Sequence, residues 1–148
     1  MKPSMDHLLM TMVGTLGERI IPALPEECHA LGDAKMVAAM AIILAQEVDR
    51  AADVLITENA SLRALFGKAA AHDLGPLTAQ LAEAAQSTDT DYKVSTLEAG
   101  NARLRTVLIV LQSKVEEHSE DWAKALNADI WAILKRGAEQ RMLHLPSM

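Results

Sequence analysis

Apolar residues return every three or four positions along most of this chain, which is the spacing of one face of an α-helix. From about Ser4 to Ile21 the stripe is Met5, Leu8, Met12, Leu16 and Ile20, and Pro22 stops it. Residues 22–33 carry Pro22, Pro25 and Gly32 and read as a connection. Asp33 is placed to cap a long second helix reaching about Ala71, with Val37, Ala41, Leu44, Val48, Ala51 and Leu55 on its stripe. Past Leu55 the stripe has to slip by one position to run on through Asn59, Leu62, Phe66 and Ala69, a stutter in a heptad pattern. Without the slip Glu58 faces inward in place of Asn59, so a polar side chain meets the seam either way.

Gly75-Pro76 closes one element and opens the next, with proline at a first helical position. Pro76 to Gln86 reads as a short helix on Leu77, Leu81 and Ala84/Ala85, and Ser87 to Lys93 as a polar loop. Ser95-Thr96-Leu97-Glu98 has the form of a capping box. The seam that follows is regular: Leu97, Asn101, Leu104, Leu108, Leu111, Val115, His118 and Trp122 alternate spacings of four and three. One unbroken helix there, at about 1.5 Å per residue, is long for a small domain. A break is therefore expected near His118 to Asp121. Ser119 would then cap a last helix to about Leu143, with Trp122, Leu126, Ile130, Ile133 and Leu134 on its apolar face.

These elements predict an all-α fold, an up-and-down helical bundle of four long helices and one short helix. At 148 residues the chain fits a single domain, residues 1–148, large enough for a real core. Composition agrees: half the residues are apolar, but aromatics fall to 3%, and sheets draw on aromatic and β-branched residues.

Charge and cysteine narrow the setting. A net charge of −6, with 14 Lys and Arg scattered among 20 acids, leaves no basic face for nucleic acid. The longest apolar run, Met36 to Ala45, is far short of the ~20 residues of a membrane span. Asp6, His7 and Glu18 interrupt the N-terminal apolar residues, so no secretory signal is read. Cys28 is the single cysteine, which excludes an intramolecular disulfide and makes a reducing, cytoplasmic location the expectation.

Candidate chemistry centres on a pattern that occurs twice. Asn59-Ala60-Ser61-Leu62-Arg63 returns as Asn101-Ala102-Arg103-Leu104-Arg105, with matched leucines four residues upstream at Leu55 and Leu97. Each copy sets an amide and a guanidinium one helical turn apart on one face. If the two helices are antiparallel neighbours, Asn59, Arg63, Asn101 and Arg105 can converge on a carboxylate or phosphate ligand, since Arg presents a bidentate fork. The competing role is alignment: a seam Asn fixes helix register while each Arg pairs with a carboxylate, for which Glu58 and Glu98 are at hand. The repeat also fits an old helix-hairpin duplication.

Other constellations are weaker. His118 at a seam position beside Glu116 and Glu117 could ligate metal or move protons, but a structural role fits better. Carboxylate-bridged di-iron bundles need Glu-x-x-His on two helices. The chain has it once, Glu26 to His29, in a proline-flanked loop. Cys28 follows two acids, which work against a reactive thiolate. Met1, Met5, Met10, Met12, Met36 and Met40 cluster early and suit a core or a subunit interface. Trp122 and Trp131 are expected to anchor helix packing or a dimer contact. Gly14-Thr15-Leu16-Gly17 lies inside a predicted helix and is no phosphate loop. No catalytic set, metal site or cofactor is expected.

Leu8-Leu9, Val13, Leu16, Ile20/Ile21, Pro22-Ala23-Leu24, Ala38-Ala39, Glu47, Glu58, Leu62, Leu65 and Gly67 carry one resemblance. Over residues 8–67, apart from the connection at 25–33, the chain resembles a family of short bacterial all-helical domains of unknown function. Those domains are often encoded beside acyl-CoA dehydrogenase-like and aminoglycoside-phosphotransferase-like proteins. The resemblance implies an accessory role near acyl or small-acid metabolism and brings no catalytic residues with it. The expectation is a non-enzymatic helical accessory or protein-interaction module, homodimeric, with a protein partner in that metabolism. The alternative is a bundle that binds a small anion or acyl ligand through Arg63 and Arg105.

Overall fold

The computed structural model describes residues 2–143. They form five α-helices and no strand: α1 (Met5–Thr15), α2 (His29–Ala69), α3 (Pro76–Gln86), α4 (Val94–Glu116) and α5 (Asp121–Gln140). The fold is all-α. None of these helices is long and apolar enough to cross a membrane. The chain divides into two compact units, Met1–Ala51 and Ala52–Met142.

In the first unit the predicted first helix is α only to Thr15. It continues through a π-helical turn at Leu16–Ile20 and a 3-10 turn at Ile21–Ala23, where Pro22 lacks the N–H to go further. The second helix begins at His29, ahead of the expected Asp33 cap. The chain turns early: the Cys28 N–H donates to the Pro25 carbonyl at 3.0 Å and the Leu31 N–H to the Cys28 carbonyl at 2.9 Å. Gly32 then lies within the helix, where a glycine costs only about 1 kcal/mol. Ala38 and Ala41 are the only buried positions among residues 2–51. The stripe residues Met5, Leu8, Met12, Ile20, Val37, Leu44 and Val48, read as core-facing, are all exposed. So are Met10, Met36 and Met40; Met1 lies outside the described residues.

The second unit follows its pattern closely. Leu62, Phe66, Leu81, Leu97, Leu111 and Ile130 are fully buried, and burying each such side chain contributes about 1.5–3 kcal/mol. Helix α2 ends at Ala69. The turn after it is stitched by Thr78, whose hydroxyl accepts from the Leu74 N–H at 3.0 Å and donates to the His72 carbonyl at 3.3 Å. Gly75 adopts a φ of +62°, a left-handed value that a side chain resists, and Pro76 starts α3 as expected.

Two caps differ from expectation. Helix α4 starts at Val94, so Ser95 is already inside the first turn and makes no capping box. Asp91 sets that start instead, accepting from the Lys93 N–H at 2.9 Å. The break before α5 falls where expected, after Glu116, but Glu120 and not Ser119 occupies the cap position. The Glu120 carboxylate is turned back to accept from the Ser119 N–H at 2.9 Å. Helix α5 ends at Gln140, short of Leu143.

Candidate functional site

The two copies of the Asn-Leu-Arg pattern meet inside the second unit. Asn59 is fully buried and Asn101 is 7% exposed, and the Asn101 amide donates to the Asn59 side-chain oxygen at 2.9 Å. The Asn59 amide in turn donates to Asp89 Oδ1 at 3.1 Å and to the Leu97 carbonyl at 3.4 Å. A direct amide-to-amide bond between α2 and α4 fixes which turns lie opposite each other. Sliding either helix by a turn would leave buried donors and acceptors unpaired, at about 1–3 kcal/mol each.

The arginines do not share one ligand space. Arg63 clamps Asp89 with both arms, Nη1 to Oδ2 at 2.9 Å and Nη2 to Oδ1 at 2.7 Å, while its Nε donates to Ser87 Oγ at 3.2 Å. Arg105 donates from Nε to Glu58 Oε1 at 2.7 Å, and its Nη2 lies 2.6 Å from the same oxygen. Arg141, just past α5, contacts the other Glu58 oxygen. To take a ligand anion, either fork would first have to release its carboxylate.

Burial and pairing pull Glu58 in opposite directions. Desolvation is the largest single influence and pushes its carboxyl up, but the neighbouring Arg141 and Arg105 guanidiniums and the Asn101 amide together hold it below the usual glutamate range. Asp89 is lowered chiefly by the Arg63 hydrogen bonds, against a smaller desolvation. Both carboxylates are therefore anions at neutral pH, one pinning α2 to α4 and α5, the other pinning α2 to the loop before α4.

Sequence reasoning anticipated Glu58 but missed its neighbours. The slip at Leu55 is a sharing: Glu58 and Asn59 are both buried, pointing to adjacent sides of α2. Glu98, the other expected counter-ion, is exposed and forms no ion pair among the described residues. Its place is taken by Asp89, in a polar loop where no periodicity marks it. Arg141 was hidden in a helix end. Gly137 is buried one turn before it at the end of α5, and a Cβ there would sit 3.1 Å from Arg141 Nη1 and 3.6 Å from Glu58 Oε2. Gly100 plays a similar part, with Asp89 Oδ1 at 3.4 Å from where its Cβ would be.

Beside this network a cleft of about 280 Å³ opens between α3, α4 and the loop joining them. The Arg63–Asp89 pair lines it, as do Gly100, Arg103 and Leu104 from α4 and Glu83 and Ala84 from α3.

The remaining candidates occupy separate places. His118 is half-buried against Trp122, ring centroids 4.9 Å apart, with Nδ1 3.5 Å from Glu120. His72 stacks on Trp122 at 4.6 Å, so the tryptophan has an imidazole neighbour from the α2–α3 turn as well as from the α4–α5 turn. Trp131, by contrast, is exposed. Cys28 is a free, half-buried thiol in the first unit. Among the described residues no three His, Cys, Asp or Glu side chains gather as a metal-binding group.

Comparison with protein-family models, curated proteins and solved structures returns no match to this chain.

Proposed function

We propose that this chain is a non-enzymatic helical accessory module that works as a homodimer, joined through the apolar surface of its first unit. One observation carries the reading. Met5, Leu8, Met12 and Ile20 along the first helical segment, and Met36, Val37, Met40, Leu44 and Val48 along one side of α2, are each 42–63% exposed. Summed over these nine side chains, the exposed area is on the order of the 800 Å² that each partner gives to a standard-size protein interface. Exposed apolar surface of that extent on a water-soluble chain marks an interaction site.

A second copy is the occupant that fits this surface. An isologous contact lets each stripe meet its own image, and unbranched methionines adapt to such a fit. Acids outnumber bases seven to four over residues 2–51, which disfavours anionic lipid or nucleic acid as the partner. The resemblance of residues 8–67 to short bacterial all-helical domains of unknown function, often encoded beside acyl-CoA dehydrogenase-like proteins, is the reason for placing that role beside acyl or small-acid metabolism. The lone thiol of Cys28 suits the cytoplasm.

Size-exclusion chromatography with light scattering at tens of micromolar is the test. The expected mass is twice the 16.0 kDa of one chain. A Met12→Asp, Met40→Asp, Leu44→Asp variant should be monomeric with its helical circular dichroism retained. A monomeric wild type, or a dimer unaffected by the three aspartates, overturns the proposal.

A further inference from the structure

The cleft between α3 and α4 holds four charged side chains, and they are not equivalent. Arg63 and Asp89 neutralise one another through two hydrogen bonds. Arg103 and Glu83 line the same cleft, yet neither forms an ion pair with any described residue. Once the internal pair is set aside, one cation and one anion are left facing a shared space of net zero charge. Ala84, Leu104 and Val107 add an apolar wall. Gly100 lacks the side chain that would otherwise fill the end near Asp89.

We infer that this cleft is a binding site for a small zwitterion of the amino-acid type, its carboxylate held by Arg103, its ammonium by Glu83 and its aliphatic body against Leu104 and Val107. Each single-charge alternative meets an opposing group. A plain carboxylate gains Arg103 but lies beside Glu83, and a plain amine has the reverse difficulty. A ligand with both charges satisfies both, and charge-assisted hydrogen bonds are the strong ones. Size agrees. Small-molecule pockets run roughly 300–1,000 Å³, so about 280 Å³ lies at the small end of that range and suits a molecule of a few carbons. Arg63 is a positioning residue here: by holding Asp89 it keeps a second free carboxylate out of the cleft.

Isothermal titration calorimetry on the full chain tests this with leucine and δ-aminovalerate as probes, each run beside its deaminated acid and its decarboxylated amine. At least one zwitterion should bind saturably, and at least about tenfold more tightly than either of its single-charge analogues. Arg103→Gln and Glu83→Gln should each weaken that binding at least about tenfold while leaving the helical circular dichroism unchanged. No saturable binding by either zwitterion overturns the inference. So does an analogue that binds as tightly, or binding undiminished in both variants. All the groups involved belong to the second unit, so a monomeric protein would defeat the dimer reading and leave this one standing.

Discussion

Helix α2 carries apolar stripes on both sides of Ala51, and the two halves use them in opposite ways. Beyond that point Leu55, Leu62, Phe66 and Ala69 are buried in the core of the second unit. Before it Val37, Leu44 and Val48 repeat the same spacing and remain exposed. Only small side chains, Ala38 and Ala41, are buried there. The sequence periods are alike, so period alone says that a helix has an apolar side and nothing about what covers it. The covering differs because the second unit supplies three further helices, α3 to α5, whereas the first unit has only α1 and two tight turns.

The sharpest way to break that contrast is to truncate one side chain in each half. Phe66→Ala removes a fully buried ring and should cost about 3–5 kcal/mol in chemical denaturation. Leu44→Ala, assayed dilute enough to keep the chain monomeric, should stay within about 0.5 kcal/mol of wild type, as exposed substitutions do. Comparable losses at the two sites would mean that the first unit has a hidden core.

The same contrast explains what could be read ahead of the structure. The helices of the second unit were legible because burial enforces a stripe: Leu104, Leu108, Leu111 and Val115 all fall where the heptads put them. Helix starts were less legible. At Ser95 and Asp33 a good capping residue was outcompeted by a turn beginning a few residues earlier. The polar network was half legible. Asn59 and Asn101 stood out because an amide on an apolar seam demands a partner. Asp89 and Arg141 did not, because a charged residue in a loop or at a helix end looks the same whether it is solvated or reaching into a core. What would have found Asp89 is the paired buried amide itself, since two Asn side chains cannot satisfy each other and still leave no donor over.

Acid titration should separate the units more gently. Glu58 and Asp89, both in the second unit, are held below their ordinary values of 4.5 and 3.8. As pH falls, the unfolded chain takes up protons at those groups before the folded chain does, so stability declines. The contribution is complete above the ordinary values and disappears as pH drops through the lowered folded ones. The midpoint of thermal unfolding, followed from neutral pH downward, should therefore fall steeply in acid. A Glu58→Gln, Asp89→Asn variant should begin lower and show a shallower acid slope. At neutral pH Glu58→Gln alone should cost about 1–2 kcal/mol, since it leaves charged donors facing an amide, while both arginines can regain water at the surface. An unchanged slope in the double variant would show that other carboxylates govern acid unfolding.

The smallest effect tests how tightly the second unit is built around Glu58. Gly137 sits in the last turns of α5, buried, where glycine costs roughly 0.5–1 kcal/mol relative to alanine. An added Cβ would come to 3.1 Å from Arg141 Nη1, closer than an ordinary contact. That atom is the far end of a flexible side chain, 39% exposed, and moving it by a few tenths of an ångström is cheap. Its hydrogen bond to the Gly137 carbonyl at 3.2 Å, made from the same Nη1, would then lengthen and offset part of the gain. Gly137→Ala should accordingly stabilise the protein by no more than about 0.5 kcal/mol. A loss larger than about 1 kcal/mol in denaturant melts would mean that Arg141 cannot move, because the Glu58 contact locks it. In that case the Glu58 cluster, more than the apolar stripe of α5, would be what seats the end of that helix.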